Sequence, residues 1–189
     1  MRIAILTALL LVGASARAAP EAHPGMAGVE ERGAELLQPF KKQLMGALKE
    51  GLSQGPAEAV DTCHLQAPGI PDRAAPENVE LGRTSHKLRN PDNAPTDWQR
   101  EIVQYYLHHE DRSPKTRRLD GGRVAYAEPI EVKPLCVTCH GPAEQIPAPV
   151  RAKLSEQYPD DQATGFEVGD FRGIFWATWP LEATEGSGS

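Results

Sequence analysis

The stretch "GGRVAYAEPIEVKPLCVTCHGP", residues 121–142, carries both a structural and a chemical signal. Gly121 and Gly122 open it as a turn, and Val124, Tyr126, Ile130 and Val132 then alternate as a strand does. Pro129 lacks a backbone donor, which predicts an edge position or a bulge at that point. Cys136 and Cys139 follow at C-x-x-C spacing, with His140 immediately behind. C-x-x-C-H is the attachment pattern of c-type haem. Two thiols one short turn apart can each bond a vinyl group on the same haem edge, and the next imidazole then faces the iron. Three other uses of the motif fit less well. A plain disulfide gives His140 no task, and a thiol–disulfide oxidoreductase expects a βαβ surrounding that the flanks lack. A zinc site needs a second ligand pair at matching spacing, and the chain has three cysteines in all.

The chain's start bears on the same question. "MRIAILTALLLVGASARA" has one early charge at Arg2, an apolar core from Ile3 to Val12, and Ala16-Arg17-Ala18 as a small-x-small cleavage site. Residues 1–18 are therefore expected to be a signal peptide, and the mature protein to be exported, periplasmic or beyond, with no membrane insertion. Cleavage would leave 171 of the 189 residues and take the formal charge from −6 to −8 through loss of Arg2 and Arg17. So acidic a chain has no electrostatic reason to bind nucleic acid or an anionic membrane. Export also sharpens the cysteine arithmetic: with Cys136 and Cys139 used together, Cys63 is left over in an oxidising compartment.

Further elements follow from periodicity and punctuation. Residues 19–28 read as a flexible lead-in, 29–180 as one domain, and 181–189 as a disordered tail. Leu37, Phe40, Leu44, Leu48 and Leu52 recur at helical steps, predicting a long first helix from about Val29 to Ser53. Pro56 suits the first turn of a short second helix that carries Cys63 near its end. "QAPGIPDRAAPEN" reads as loop and "VELG" as the start of a strand. Thr96 and Gln99 have capping-box spacing ahead of a helix whose apolar face holds Trp98, Ile102, Val103, Tyr106 and Leu107. A helix through Val150, Leu154 and Tyr158 and a closing strand "FRGIFWATW" complete an α+β chain with an antiparallel sheet.

If a haem iron binds His140, a second axial donor is open. Met26 falls in the lead-in and Met45 on the core-facing side of the first helix, His23 lies in the lead-in, and His108 and His109 read as a solvated helix end. Cys63 and its neighbour His64 remain, and spacing alone leaves both in play. A thiolate on ferric iron would be shielded from oxidation and would lower the reduction potential. Haem also carries two propionates, which suit a forked guanidinium; Arg83 and Arg89, with Lys87 beside them, are the candidates, while Asn90 and Pro91 read as turn formers.

Four phrases together, "AVDTCHLQAP", "LGRTSHKLRNPDNAPTDWQ", "YAEPIEVKPLCVTCHGPAEQIP" and "YPDDQATGFEVGDFRG", resemble the exported single-haem c-type cytochromes with a PAS-like fold. That family is typified by a cyanobacterial haem protein, and many members are catalogued as a domain of unknown function. The resemblance runs from about Val29 to Trp179. It implies a PAS-like antiparallel sheet flanked by helices, one covalent haem c at Cys136 and Cys139 with His140 proximal, and Cys63 as the distal iron ligand. With both axial positions filled by protein, it implies electron transfer or redox sensing with a protein partner rather than enzymatic turnover. A gas or small-ligand sensor and a thiol–disulfide oxidoreductase are the competing readings.

Overall fold

The computed structural model describes Met26 and residues 28–181. The expected signal peptide, most of the lead-in with His23, and the tail beyond Leu181 lie outside the described residues. Among the described residues six α-helices and four strands follow in the order α1 (Val29–Gln54), α2 (Pro56–Gln66), α3 (Ile70–Ala74), β1 (Glu80–Thr84), α4 (Asp97–His108), β2 (Lys115–Arg118), β3 (Arg123–Glu131), α5 (Val137–His140), α6 (Ala148–Gln157) and β4 (Phe171–Pro180). The strands form one antiparallel sheet in the order β1-β4-β3-β2. The fold is α+β, with a long N-terminal helix.

Both faces of the sheet are covered, and this alters the strand pattern that the sequence suggests. Val124, Ala125, Tyr126 and Ala127 are all buried, without alternation. Tyr126 and Ala177 pack with Leu36, Leu37 and Phe40 of α1. On the opposite face Ala127 and Ile174 pack with Ile102, Val103 and Tyr106 of α4. A strand buried on two sides reads as a continuous small and apolar run. Pro129 sits where β3 has lost β2, whose last pairing is with Ala127, and just before the register shift at Ile130/Glu131. Edge and bulge are both realised there.

Other departures have local causes. Met45 is exposed, because the buried stripe of α1 runs through Phe40, Leu44 and Ala47 and the next residue is turned about 100° from it. Leu107 is exposed for the same reason, one step beyond the buried Tyr106. The segment expected as loop contains α3, with Pro71 in its first turn and Ile70 driven into the α1 core. β2 had no apolar alternation to reveal it, since Lys-Thr-Arg-Arg is an edge strand whose charges face water and carboxylates such as Glu101, the partner of Arg117. The capping box formed by Thr96 and Gln99 is present, with the Thr96 N–H donating to Gln99 Oε1 at 2.9 Å.

Close backbone contacts define the sheet end at which β1 leaves, β3 leaves and β4 begins. Gly173 has φ +154°, and a Cβ there would come within 2.2 Å of the Thr84 carbonyl oxygen and 3.0 Å of Ser85 Cβ. Further along, the bulk of Trp176 is taken up by Gly82 directly opposite on β1. Ser85 Oγ donates to the Arg172 carbonyl at 2.5 Å and accepts from Arg172 Nη1 at 2.8 Å, closing the exit of β1 onto the entry of β4. Gly173→Ala is expected to destabilise the chain by about 2–3 kcal/mol through strain and overpacking. The urea midpoint should fall at unchanged slope; a midpoint equal to wild type contradicts this account of the β1–β4 junction.

Candidate functional site

At that sheet end three chain segments lie side by side. The first is the motif turn: Cys139 N and His140 N both bond the Cys136 carbonyl, and Gly141 N bonds that of Val137, so Cys136–His140 forms a single helical turn. The second segment, 161–166, is laced to it through Phe166 N donating to the His140 carbonyl (3.0 Å) and Gly165 N to that of Gly141 (2.8 Å). The third, 85–90, lies against the second: Gln162 N donates to the Leu88 carbonyl (2.8 Å) and Lys87 Nζ to the Thr164 carbonyl (3.2 Å). Cys136 packs on the cluster of Val132, Ala163 and Phe166, and Cys139 on that of Val60, Ile146, Val150 and Leu154.

His140 is fixed through Nδ1, which lies 2.7 Å from the Ala163 carbonyl. A carbonyl only accepts, so Nδ1 carries the proton and Nε2 keeps its lone pair. Burial holds the imidazole well below its ordinary pKa, and the positive charges of Arg89, Arg172 and Arg83 push the same way against the Ala163 bond. The ring is neutral, as a metal-ligating imidazole must be. All three cysteines are free thiols. Burial pushes Cys139 up, with Arg89 opposing and Cys63 and Cys136 adding to the rise.

Cys63 reaches this region from the last turn of α2, which is held to α6 by Lys153 Nζ to Asp61 (2.9 Å) and Gln157 Nε2 to Asp61 Oδ1 (3.3 Å). The thiol lines a narrow cleft, ≈ 40 Å³ in volume, with Phe40, Pro71, Arg83, Asn90 and Tyr158 among its walls. Burial raises the pKa of Cys63, and the charges of Arg83 and Arg89 act against that rise. His64 instead turns its ring onto that of Tyr158, centroids 5.1 Å apart and nearly perpendicular, and does not line the cleft. A larger groove of ≈ 550 Å³ opens between the start of α1 and β2, and among the described residues its walls hold no cysteine or histidine.

The three basic residues anticipated from sequence are used differently from one another. Arg89 gives Nε and Nη2 to Asp161 (3.0 and 2.9 Å) and Nη2 to the carbonyls of Cys139 (2.5 Å) and Ala163 (3.4 Å). Lys87 is spent on Thr164 and on the face of Phe166. Among the described residues no acceptor takes a hydrogen bond from the Arg83 guanidinium; it lines the cleft from an exposed position on β1. Sequence reasoning missed Arg172 and Tyr158. Burial and the charges of Arg89 and Arg83 bring Arg172 down to about 10. An arginine opening an apolar strand, in "FRGIFW", was the available signal. Asn90 and Pro91 do form a turn, Asn90 Oδ1 accepting from Asp92 N at 3.0 Å, and Asn90 also faces the cleft.

The sequence matches the Tll0287-like family (Tll0287) over residues 35–180. The chain belongs to that family. Among solved structures the chain is similar to one described as the cyanobacterial heme-protein Tll0287, with TM-score 0.59 and 24% identity over 86% of this chain and 98% of that one. No curated protein matches it. Among the described residues no helix is long and apolar enough to cross a membrane.

The different uses of Arg83 and Arg89 predict different costs. Arg83→Gln should leave stability within about 0.5 kcal/mol, since it breaks no hydrogen bond among the described residues. Arg89→Gln strands the nearly buried Asp161 and should cost about 3–5 kcal/mol. Chemical denaturation of both variants checks this, and equal costs would refute the assignment.

Proposed function

We propose that this chain is an exported monohaem c-type cytochrome of the Tll0287-like family, acting in electron transfer or redox sensing with a protein partner. In this reading Cys136 and Cys139 hold haem c by thioether bonds, His140 is the proximal ligand and Cys63 the distal one. The observation that carries it is the motif turn itself: two free thiols and a neutral, half-buried imidazole whose only uncommitted nitrogen is Nε2. The heme-protein similarity in fold agrees with it.

The surroundings suit that cofactor. Arg83, Arg89 and Arg172 converge on one end of a chain whose formal charge is −6, and Arg83 has no carboxylate among the described residues. A group bearing two propionates would supply the missing anion. Cys63 rather than His64 faces the cleft, which favours sulfur as the distal donor. Bound there, haem supplies a one-electron ferric–ferrous couple. The protein's part is to exclude water, fix His140 through Ala163 and offer Cys63, whose thiol burial pushes up against the pull of Arg83 and Arg89. Thiol exchange is the poorer fit, because burial raises Cys139 where a nucleophilic thiol needs lowering.

Expression of the full chain with a cytochrome c maturation system should give a coloured protein with a Soret band and the added mass of one haem. Cys63→Ala should change the ferric spectrum and raise the midpoint potential, while His64→Ala leaves both near wild type. Absence of the Soret band sinks the haem reading, and the reverse pair of variant spectra sinks the choice of distal ligand. Carbon monoxide added to the reduced protein should leave the spectrum unchanged; a shifted band would favour small-ligand sensing.

A further inference from the structure

The segment after β1 meets segment 161–166 through an ion pair, and the motif turn through a hydrogen bond from the same arginine. Arg89 and Asp161 expose only 15% and 10% of their side chains. Asp161 Oδ2 accepts Nε and Nη2 of Arg89, at 3.0 and 2.9 Å, while Asp161 Oδ1 accepts the Ala163 N–H at 2.8 Å. Arg89 Nη2 reaches over to the carbonyls of Cys139 at 2.5 Å and Ala163 at 3.4 Å. The Ala163 carbonyl is also the acceptor for His140 Nδ1. Residue 163 is thus held at both its polar atoms by the same pair, and residue 139 by one half of it.

We propose that Arg89 and Asp161 are positioning residues for His140, fixing the Ala163 carbonyl so that the imidazole keeps its proton on Nδ1 and presents Nε2. This rests on the reading of His140 as an iron ligand. It replaces the propionate role anticipated for Arg89, because Nε and Nη2 already hold backbone and carboxylate. A buried ion pair is poor value as stability alone, since an apolar pair of similar size does as well. A task that apolar residues cannot perform is orientation of a carbonyl beside a metal ligand, where outer partners set tautomer and ring angle. Sharing one carbonyl between a guanidinium and the imidazole also limits how strongly Nδ1–H can donate, and so how electron-rich Nε2 becomes.

The test is a charge-neutral double variant, Arg89→Met with Asp161→Asn, made in the full chain. It leaves no lone buried charge, keeps an oxygen for the Ala163 N–H, and cancels to first order the direct electrostatic effect on the iron. In ¹⁵N-histidine-labelled protein the His140 Nδ1 proton should exchange with water at least about tenfold faster than in wild type, as one lost hydrogen bond predicts. Backbone amides of β3 should keep their protection, which a general loosening would not allow. In the haem-loaded ferric form the electron paramagnetic g-values should shift as the ring reorients. A folded double variant with wild-type exchange and unchanged g-values overturns the proposal. If that variant does not fold, Arg89→Lys decides by the same readouts, since an ammonium keeps the charge but not the fork. Should the wild-type chain take up no haem, the iron reading fails by itself, and the exchange rate still decides whether the pair positions His140.

Discussion

The structure turns on the hydrogen bond between His140 Nδ1 and the Ala163 carbonyl. Position 163 is otherwise a small residue in a connection between α6 and β4; its methyl packs with Val132 and Phe166 but carries no polar atom to direct the carbonyl. Its place is set from outside: by Asp161 on its N–H, by Arg89 across its carbonyl, and by Phe166 and Gly165, whose N–H groups bond back to the motif turn. The sheet supplies the platform. β3 delivers the motif through Val132, whose N–H and carbonyl pair with Asp170 and Gly169 just ahead of β4. The same strand pair that makes the core therefore holds the two halves of the site in register.

What was legible in the sequence was local. The motif spacing, the capping box at Thr96, the stripe of α1 and the place of Cys63 on a second helix depend on neighbours within a few positions. The grouping of four short phrases led to the right family, which the match over residues 35–180 bears out. What escaped was set by distant partners. Arg89 was visible as a cation but not as a clamp, because its acceptors stand 72 and 50 positions away in the chain. β2 is a strand only because β3 offers it an edge, and α3 is a helix because Ile70 finds a core beneath it. Periodicity cannot report a partner that lies elsewhere.

His86 marks a tension next to this site. Its Nδ1 is buried without a hydrogen-bond partner among the described residues, and its ring is stacked on Phe171 and edge-on to Phe166. Burial lowers its pKa, and Arg172 and Lys87 lower it further. The neutral ring thus behaves as an aromatic spacer that fills the gap between two phenylalanines, where a third cation beside Arg172 and Lys87 would be repelled.

That repulsion points to the wider logic of the site. Arg83, Arg89 and Arg172 each depress, or are depressed by, another of the three, and His140 is depressed by all of them. One carboxylate, Asp161, answers Arg89; Arg172 is held by Ser85 and the Lys87 carbonyl; Arg83 has neither kind of partner among the described residues. Like charges held close together repel one another unless an anion compensates them, though water screens the exposed Arg83. Any ligand that brings negative charge to Arg83 would stabilise the folded chain in proportion to its own affinity. An anion set against Arg83 would relieve that repulsion, and in the function proposed above the haem propionates would be such anions.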